Sequence, residues 1–426
     1  MTRLPYGSEQ RTVPPSFPAL EVVAASPRRG RNRAGAVEIG RALDDPVAGP
    51  ALRDAVRGAA SALVVVSDGT RATGAEWFLP ALLDRLRGAG VREIRLAIAS
   101  GLHRRPDARE IAAIVGDDLA RDLPVVLHDP DDADRLVHAG ATSAGTPVRV
   151  HRAALEHEAV ILTGAVGFHY YAGFTGGRKA MVPGLAGRDT IARNHLRALR
   201  PDGSRHPYAR AGRLSGNPVH RDMVESAALV RPAWLVNSVM AEDGGIERLF
   251  AGHWRRAHES ACRYVRATRV RVLEPRAVVV ASAGGHPYDV DLIQAHKAIE
   301  AAMGALAPGG TLVLMARCAR GVGHDDFLRY FRYSTVDDHV AALTAEFRVY
   351  GQTALSWRRK LERCRLVLVS DLEPDLVRQL GAEPAADLEG ALGVAFRGRS
   401  RNTPGWILPH GARVWIEPAA GREGAR

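Results

Sequence analysis

Four short stretches concentrate the residues able to do chemistry: "SDGTR" (67–71), "SGLHRRP" (100–106), "GFHYYAGFTGGRKAMVPGLAG" (167–187) and "HPYDVDLIQAHK" (286–297). Each sets small residues or a turn beside His, Lys, Arg or Asp. His103 and His169 both follow an apolar run and a small-residue turn. Imidazoles delivered from two strand ends can face one substrate, one acting as base and the other as acid. Asp68 and Arg71, read alone, are a helix-capping carboxylate and a surface arginine. Beside a substrate they become an orienting carboxylate and a guanidinium fork for an anion.

Lysine is scarce: Lys and Arg total 58, and only Lys179, Lys297 and Lys360 are lysines. An amine can lose its proton and form a covalent bond, which guanidinium does not do. Lys179 follows "GFTGGR", a stretch that invites comparison with a phosphate loop. That motif fails twice, because Arg178 follows the glycines and Ala180 stands where a hydroxyl residue is needed. Thr175, Gly176 and Gly177 still permit close backbone approach and an N–H nest around a phosphate. His195, in the helical segment "DTIARNHLRAL", offers an imidazole that can ligate a metal. No H-x-x-x-H or H-E-x-x-H pattern occurs, which argues against an ordinary zinc hydrolase. Gln294 and Lys297 are three apart and share one face near a helix start, where an anion is favoured. Lys360, in "SWRRKLERC", reads as a surface residue, and Trp357 as part of the core.

The elements that must carry these residues alternate. "SALVVVSD" (61–68), "VREIRLAIASG" (91–101), "LPVVLHD" (123–129), "AVILTGAVG" (159–167) and "AWLVNSVM" (233–240) read as strands, with helical patterns such as "GAEWFLPALLDRLRGAG" between them. Strands apolar on both faces and separated by helices predict a mostly parallel α/β sheet. From about Ala277 the rhythm restarts with "AVVVASAGG", "TLVLMAR" and "RLVLVSDL". The fold class is therefore α/β with two α/β domains: residues 1–270 carry the histidines, and 275–395 contribute substrate-binding residues. Residues 396–426 form a C-terminal segment whose strand "ARVWIEP" returns to one of them, the N-terminal domain being one choice. The Pro-rich start (Pro5 to Pro27) and the tail 421–426 read as peripheral. Ligands of parallel α/β sheets sit at the carboxyl ends of strands, where the four stretches fall.

At 426 residues, two domains are the default. Three cysteines without C-x-x-C spacing indicate neither a disulfide framework nor a thiolate zinc site. No signal-peptide pattern or membrane-length apolar run is present, so the expectation is a cytoplasmic protein without a membrane partner. The net charge of +11 is spread over helices and lacks a nucleic-acid motif; it fits attraction of a small anionic substrate.

The four stretches together, with "RNH" (193–195) and the opening "LPYG", closely resemble the nickel-pincer cofactor-dependent lactate racemase family, the 2-hydroxy-acid racemases and epimerases. The resemblance runs from about Leu4 through Lys297 and more loosely beyond. It implies two α/β domains with the active site in the cleft between them. It implies a nickel-pincer nucleotide, a pyridinium-3,5-bisthiocarboxylic acid mononucleotide carrying nickel, attached through Lys179, with His195 completing the metal's coordination. His103 and His169 are then the proton-transfer residues. Asp68 then falls to the cofactor, and Arg71, Gln294 and Lys297 to the substrate; the assignment of Thr175, Gly176 and Gly177 to the cofactor rests on the glycines and not on the resemblance. The implied reaction takes a proton from the hydroxyl and hydride from C2, then returns hydride to the other face of a planar 2-keto acid. Cofactor-biosynthesis proteins are implied as suppliers of the pincer. Gly285 and His286 depart from the pattern, which leaves the choice among 2-hydroxy acids open. Rival readings are a 2-hydroxy-acid oxidoreductase, with or without NAD, and a non-catalytic nickel- or cofactor-binding protein. The NAD-dependent form lacks the required G-x-G-x-x-G turn, and a non-catalytic protein has no use for both histidines.

Overall fold

The computed structural model describes residues 2–24, 34–241 and 243–419; the tail 421–426 lies outside them, as does Pro27. The chain divides into two units. One comprises Gly30–Arg200 and Ser204–Arg266; the other comprises Met1–Arg29, Pro201–Gly203 and Ala267–Arg426. Residues 2–24 thus group with the C-terminal unit, where the expectation was one N-terminal domain over 1–270.

Packing explains this regrouping. Strands β1 (Arg3–Tyr6) and β2 (Glu9–Thr12) form an antiparallel hairpin, and β3 (Leu20–Val22) follows. Leu4, Tyr6, Val13 and Phe17 are buried in one core with Val278, Val313, Val367 and Phe396. The Phe17 and Phe396 rings lie 4.8 Å apart. The proline-rich start is therefore structural: Leu4 and Tyr6 stand two apart on β1 and so bury one face of the strand.

The larger unit is built on a six-stranded sheet. Its strands are β4 (Ser61–Ser67), β5 (Glu93–Ala99), β6 (Val125–Leu127), β9 (Ala159–Ala165), β12 (Trp234–Met240) and β13 (Ile246–Gly252). Between β6 and β9 lies an antiparallel hairpin of β7 (Leu136–Ala141) and β8 (Pro147–His151). After β9 comes a two-residue pair, β10 (Phe168–His169) with β11 (Gly173–Phe174). The sheet order is β13-β12-β9-β4-β5-β6, parallel except for β13. Phe78, Leu79, Leu82, Leu83 and Leu86 recur at helical spacing on Ala75–Gly88 and are fully buried against this sheet's core.

The C-terminal unit has a fully parallel six-stranded sheet of order β18-β17-β16-β15-β19-β3. Its later strands are β15 (Arg276–Ser282), β16 (Leu306–Met315), β17 (Arg365–Val369), β18 (Glu383–Ala385) and β19 (Gly405–Leu408). A separate parallel pair joins β14 (Val270–Leu273) to β20 (Trp415–Pro418). The C-terminal segment returns to this unit and not to the N-terminal one.

Candidate active site

Strands β9, β4 and β5 are neighbours, so the loops leaving their carboxyl ends emerge side by side. Those loops carry His169 with Lys179, Asp68 with Arg71, and His103 respectively. Strand order alone brings three of the four stretches to one edge of one sheet.

Asp68 is 5% exposed. Its carboxylate takes His103 Nδ1 at 2.6 Å and the Thr70 hydroxyl at 2.7 Å. Burial favours the neutral acid. The hydrogen bond and charge of His103, the Thr70 hydroxyl and the nearby Arg71 guanidinium outweigh it, so the carboxyl stays below its ordinary value. An ionised partner on Nδ1 keeps the proton there and leaves Nε2 as the nitrogen that can exchange protons. Asp68 caps no helix: the next one begins at Ala75, after Gly74. The loop before His103 is pinned by Gly101 (φ +56°), whose N–H donates to the Gly184 carbonyl at 3.0 Å. That contact ties the His103 loop to the segment following Lys179.

His169 ends β10. Its Nδ1 accepts the Ala172 N–H at 3.2 Å, and its ring meets Tyr171 edge-on at 4.5 Å. Tyr171 in turn meets the His195 ring at 5.1 Å. His195 sits in the last turn of the Arg188–Leu196 helix and is buried, not on a helix surface. Burial first, and then the charge of Lys179, push His195 down to about 3, against a bond to the Ile191 carbonyl. It is a neutral imidazole at physiological pH, with the buried Lys179 within electrostatic reach. His169, Tyr171, His195 and Lys179 thus form one group.

The glycine loop between them is closed by the protein's own atoms. Thr175 donates its hydroxyl to the Ala165 carbonyl at 2.7 Å and its N–H to Gly167. The Gly177 N–H donates to Asn237 Oδ1 at 3.0 Å, so two N–H groups of the expected nest are engaged. A Cβ at Gly177 (φ +57°) would stand 2.5 Å from the His258 ring, and one at Gly176 (φ +74°) 2.9 Å from Asn237 Oδ1. Packing and positive φ account for glycine at both positions.

Sequence reading missed the residue that organises this loop. Arg178 is 1% exposed and donates to the carbonyls of Phe174 at 2.9 Å and Ala172 at 2.7 Å, with His258 Nε2 at 3.1 Å. Burial lowers its guanidinium to about 10, still cationic. Tyr171, Asn237 and His258 were also missed. The polar pair Asn237-Ser238 inside an otherwise apolar strand was the one visible signal.

Gln294 and Lys297 lie in the C-terminal unit, on the Leu292–Ala302 helix. Lys297 Nζ donates to Gln294 Oε1 at 2.5 Å, as their shared face predicts. The start of this helix is not an open anion site. Asp291 caps it, taking the Gln294 N–H on its side chain and the Ala295 N–H on its carbonyl; Leu292 and Ile293 donate to the Gly321 and Val322 carbonyls. Lys360 is no surface residue. It is 8% exposed, pairs with Glu300 at 2.6 Å and donates to His296 Nε2 at 2.9 Å and the Ser356 hydroxyl at 2.6 Å. Trp357 is buried and donates to the Leu380 carbonyl. The three cysteines are free and buried. Among the described residues, no helix is long and apolar enough to cross a membrane.

Comparison with known proteins places this geometry. A solved apoprotein of lactate racemase from Thermoanaerobacterium thermosaccharolyticum superposes with a TM-score of 0.88 at 28% identity, covering 97% of this chain and 99% of that one. A crystal structure of a Thermotoga maritima protein, 18% identical over 90% of this chain and 98% of its own, shares the fold with a TM-score of 0.68. The chain is an isomerase of the racemase class. Residues 6–206 match the lactate racemase N-terminal domain and 273–416 the lactate racemase C-terminal domain. Lactate racemases of T. thermosaccharolyticum and Lactiplantibacillus plantarum are each 30% identical, over 383 and 386 residues. Each alignment covers 88% of this chain, with 89% and 90% of the relative. The chain belongs to the lactate racemase family.

Membership implies a nickel-dependent cofactor, and the residues present fit one. His195 offers a neutral imidazole and Lys179 a buried amine within electrostatic reach of it. Among the described residues, no three His, Cys, Asp or Glu side chains converge as a metal-ligand set.

Proposed function

We propose that the protein racemises or epimerises a small 2-hydroxy acid with a nickel-pincer nucleotide attached through Lys179 and ligated by His195. The observation that carries this reading is the line of rings from His169 through Tyr171 to the neutral His195, with Lys179 within electrostatic reach. When bound, the cofactor supplies the acceptor and donor of hydride for C2 of the substrate. Everything else falls to the chain. His103, its Nδ1 held by Asp68, moves the hydroxyl proton through Nε2 on one face of the substrate, and His169 does so on the other. Arg71, Gln294 and Lys297 supply the guanidinium, amide and ammonium donors that suit a carboxylate and a hydroxyl. Arg178 and the Thr175–Gly177 turn serve as the frame that fixes Lys179 against the sheet, a narrower part than direct cofactor contact. Cofactor-biosynthesis proteins supply the pincer. The anionic substrate fits the net charge of +11.

The test is a panel of single-enantiomer 2-hydroxy acids, lactate included, followed by chiral chromatography on cofactor-loaded protein with nickel quantified in the same sample. Loaded protein is expected to racemise or epimerise at least one member. His103→Ala and His169→Ala should each cut turnover by about 10²–10⁴-fold while retaining nickel. A loaded, nickel-containing sample inert toward the whole panel, or one in which both histidine variants keep full activity, defeats the reading.

A further inference from the structure

His195 occupies the final turn of a nine-residue helix, a place where helices fray and side chains wander. Its two polar neighbours are nevertheless held by one buried carboxylate. Asp222, on the Pro218–Ala228 helix, is 1% exposed. Its Oδ2 accepts Asn194 Nδ2 at 2.8 Å. Its Oδ1 pairs with Arg197 Nε at 3.0 Å and accepts the hydroxyls of Thr142 at 2.7 Å and Thr146 at 2.8 Å. Thr142 and Thr146 flank the turn of the β7–β8 hairpin, so the carboxylate joins three elements at one point. Asn194 donates a second time, to the Val219 carbonyl at 3.2 Å. The same helix starts at Asn217, whose amide donates to the Tyr171 carbonyl at 2.8 Å. One helix therefore grips both sides of the contact between the Tyr171 and His195 rings.

We propose that Asp222 is a positioning residue for the metal-ligating imidazole: through Asn194 and Arg197 it fixes the last helical turn so that His195 presents its ring to the nickel. The inference rests on His195 being the ligand. A carboxylate with three hydrogen-bond donors and an arginine ion pair, itself closed to water, is a rigid node, because alternative arrangements leave a buried charge or donor unmet. Groups behind a metal ligand typically tune metal affinity by about 10–100-fold.

The test compares chelator-driven nickel release from cofactor-loaded wild type, Asp222→Asn, His195→Ala and the double variant, with urea unfolding of each apoprotein. Asp222→Asn is expected to release nickel about 10–100-fold faster than wild type. In the His195→Ala background the same substitution should change release less than about twofold, because a residue acting through the imidazole has nothing left to act on. Asn194→Ala severs only part of the network and should accelerate release about tenfold, which keeps the question answerable if Asp222→Asn does not fold. Wild-type release in Asp222→Asn or Asn194→Ala overturns the proposal. So does an equal acceleration with and without His195, which is what a purely structural role gives. Release from His195→Ala at the wild-type rate overturns the ligand assignment and this inference with it. Fast release from His195→Ala beside unchanged release from Asp222→Asn removes the inference and leaves the assignment standing.

Discussion

Among the long cations buried in each unit, Lys360 and Arg178 are treated in opposite ways. Lys360, in the C-terminal unit, sits against Glu300 with His296 and Ser356 completing its donors. Arg178, in the larger unit, pairs with no carboxylate among the described residues and spends its donors on backbone carbonyls and His258. The first arrangement cancels its own charge. The second leaves a positive interior, which acts with burial to push His258 down to about 3 and His220 to about 2. A self-neutralised cluster holds two helices together; an uncompensated guanidinium holds a loop closed and keeps nearby imidazoles neutral.

The comparison breaks most directly at Glu300. Glu300→Ala leaves the Lys360 ammonium buried without its acid and should cost about 3–5 kcal/mol in urea unfolding. Replacing both partners with Leu and Met should restore most of that loss. A cost below about 1 kcal/mol would show that Lys360 does not depend on its acid. Arg178→Met is expected to cost about 2–4 kcal/mol by the same measurement, because the carbonyls of Ala172 and Phe174 lose their donor. Arg178→Lys should recover little, since one ammonium cannot span what a planar fork reaches; full recovery would make charge, not geometry, the essential property.

The smallest effect is one of pH. Burial pushes His128 down to about 4, while burial aided by Arg178 pushes His220 to about 2 and His258 to about 3. A folded-state value below the unfolded one means that the unfolded chain binds more protons, so stability falls as pH drops below about 6.5. Each such group costs about 0.7 kcal/mol between pH 7 and pH 6. The larger unit holds these three and His195, at about 3, whereas His339, at about 4, is the comparable group of the C-terminal unit. Hydrogen exchange at the two pH values should therefore show peptides within 34–266 losing protection before those within 267–419; the reverse order would refute the contrast.

Sequence pattern recovered the strands bearing Asp68, His103 and His169 because their apolar runs are long and end at glycine or a small-residue turn. It recovered Gln294 beside Lys297 because helical spacing alone puts them on one face. It could not place Arg178, which a chain rich in arginine hides among its surface residues. It misread Lys360, whose acid is 60 positions away in sequence and visible only after the helices pack. It also read the Thr175–Gly177 turn as space for a ligand. The wall behind that turn is built by Asn237 and His258, from elements that lie far downstream.

Strand β3 adds a constraint of timing. Residues 20–22 form the edge of a parallel sheet whose adjacent strand, β19, is not synthesised until position 405. Unit Gly30–Arg266 has its whole sheet available once 252 has been made, whereas β3 must wait through nearly the entire chain for its partner. Such distant pairings close late and slowly. During translation β3 is an edge without its neighbour, and Leu4, Tyr6, Val13 and Phe17 lack the core they later join, the kind of surface that chaperones shield. The protein's first residues are thus among the last to find their place.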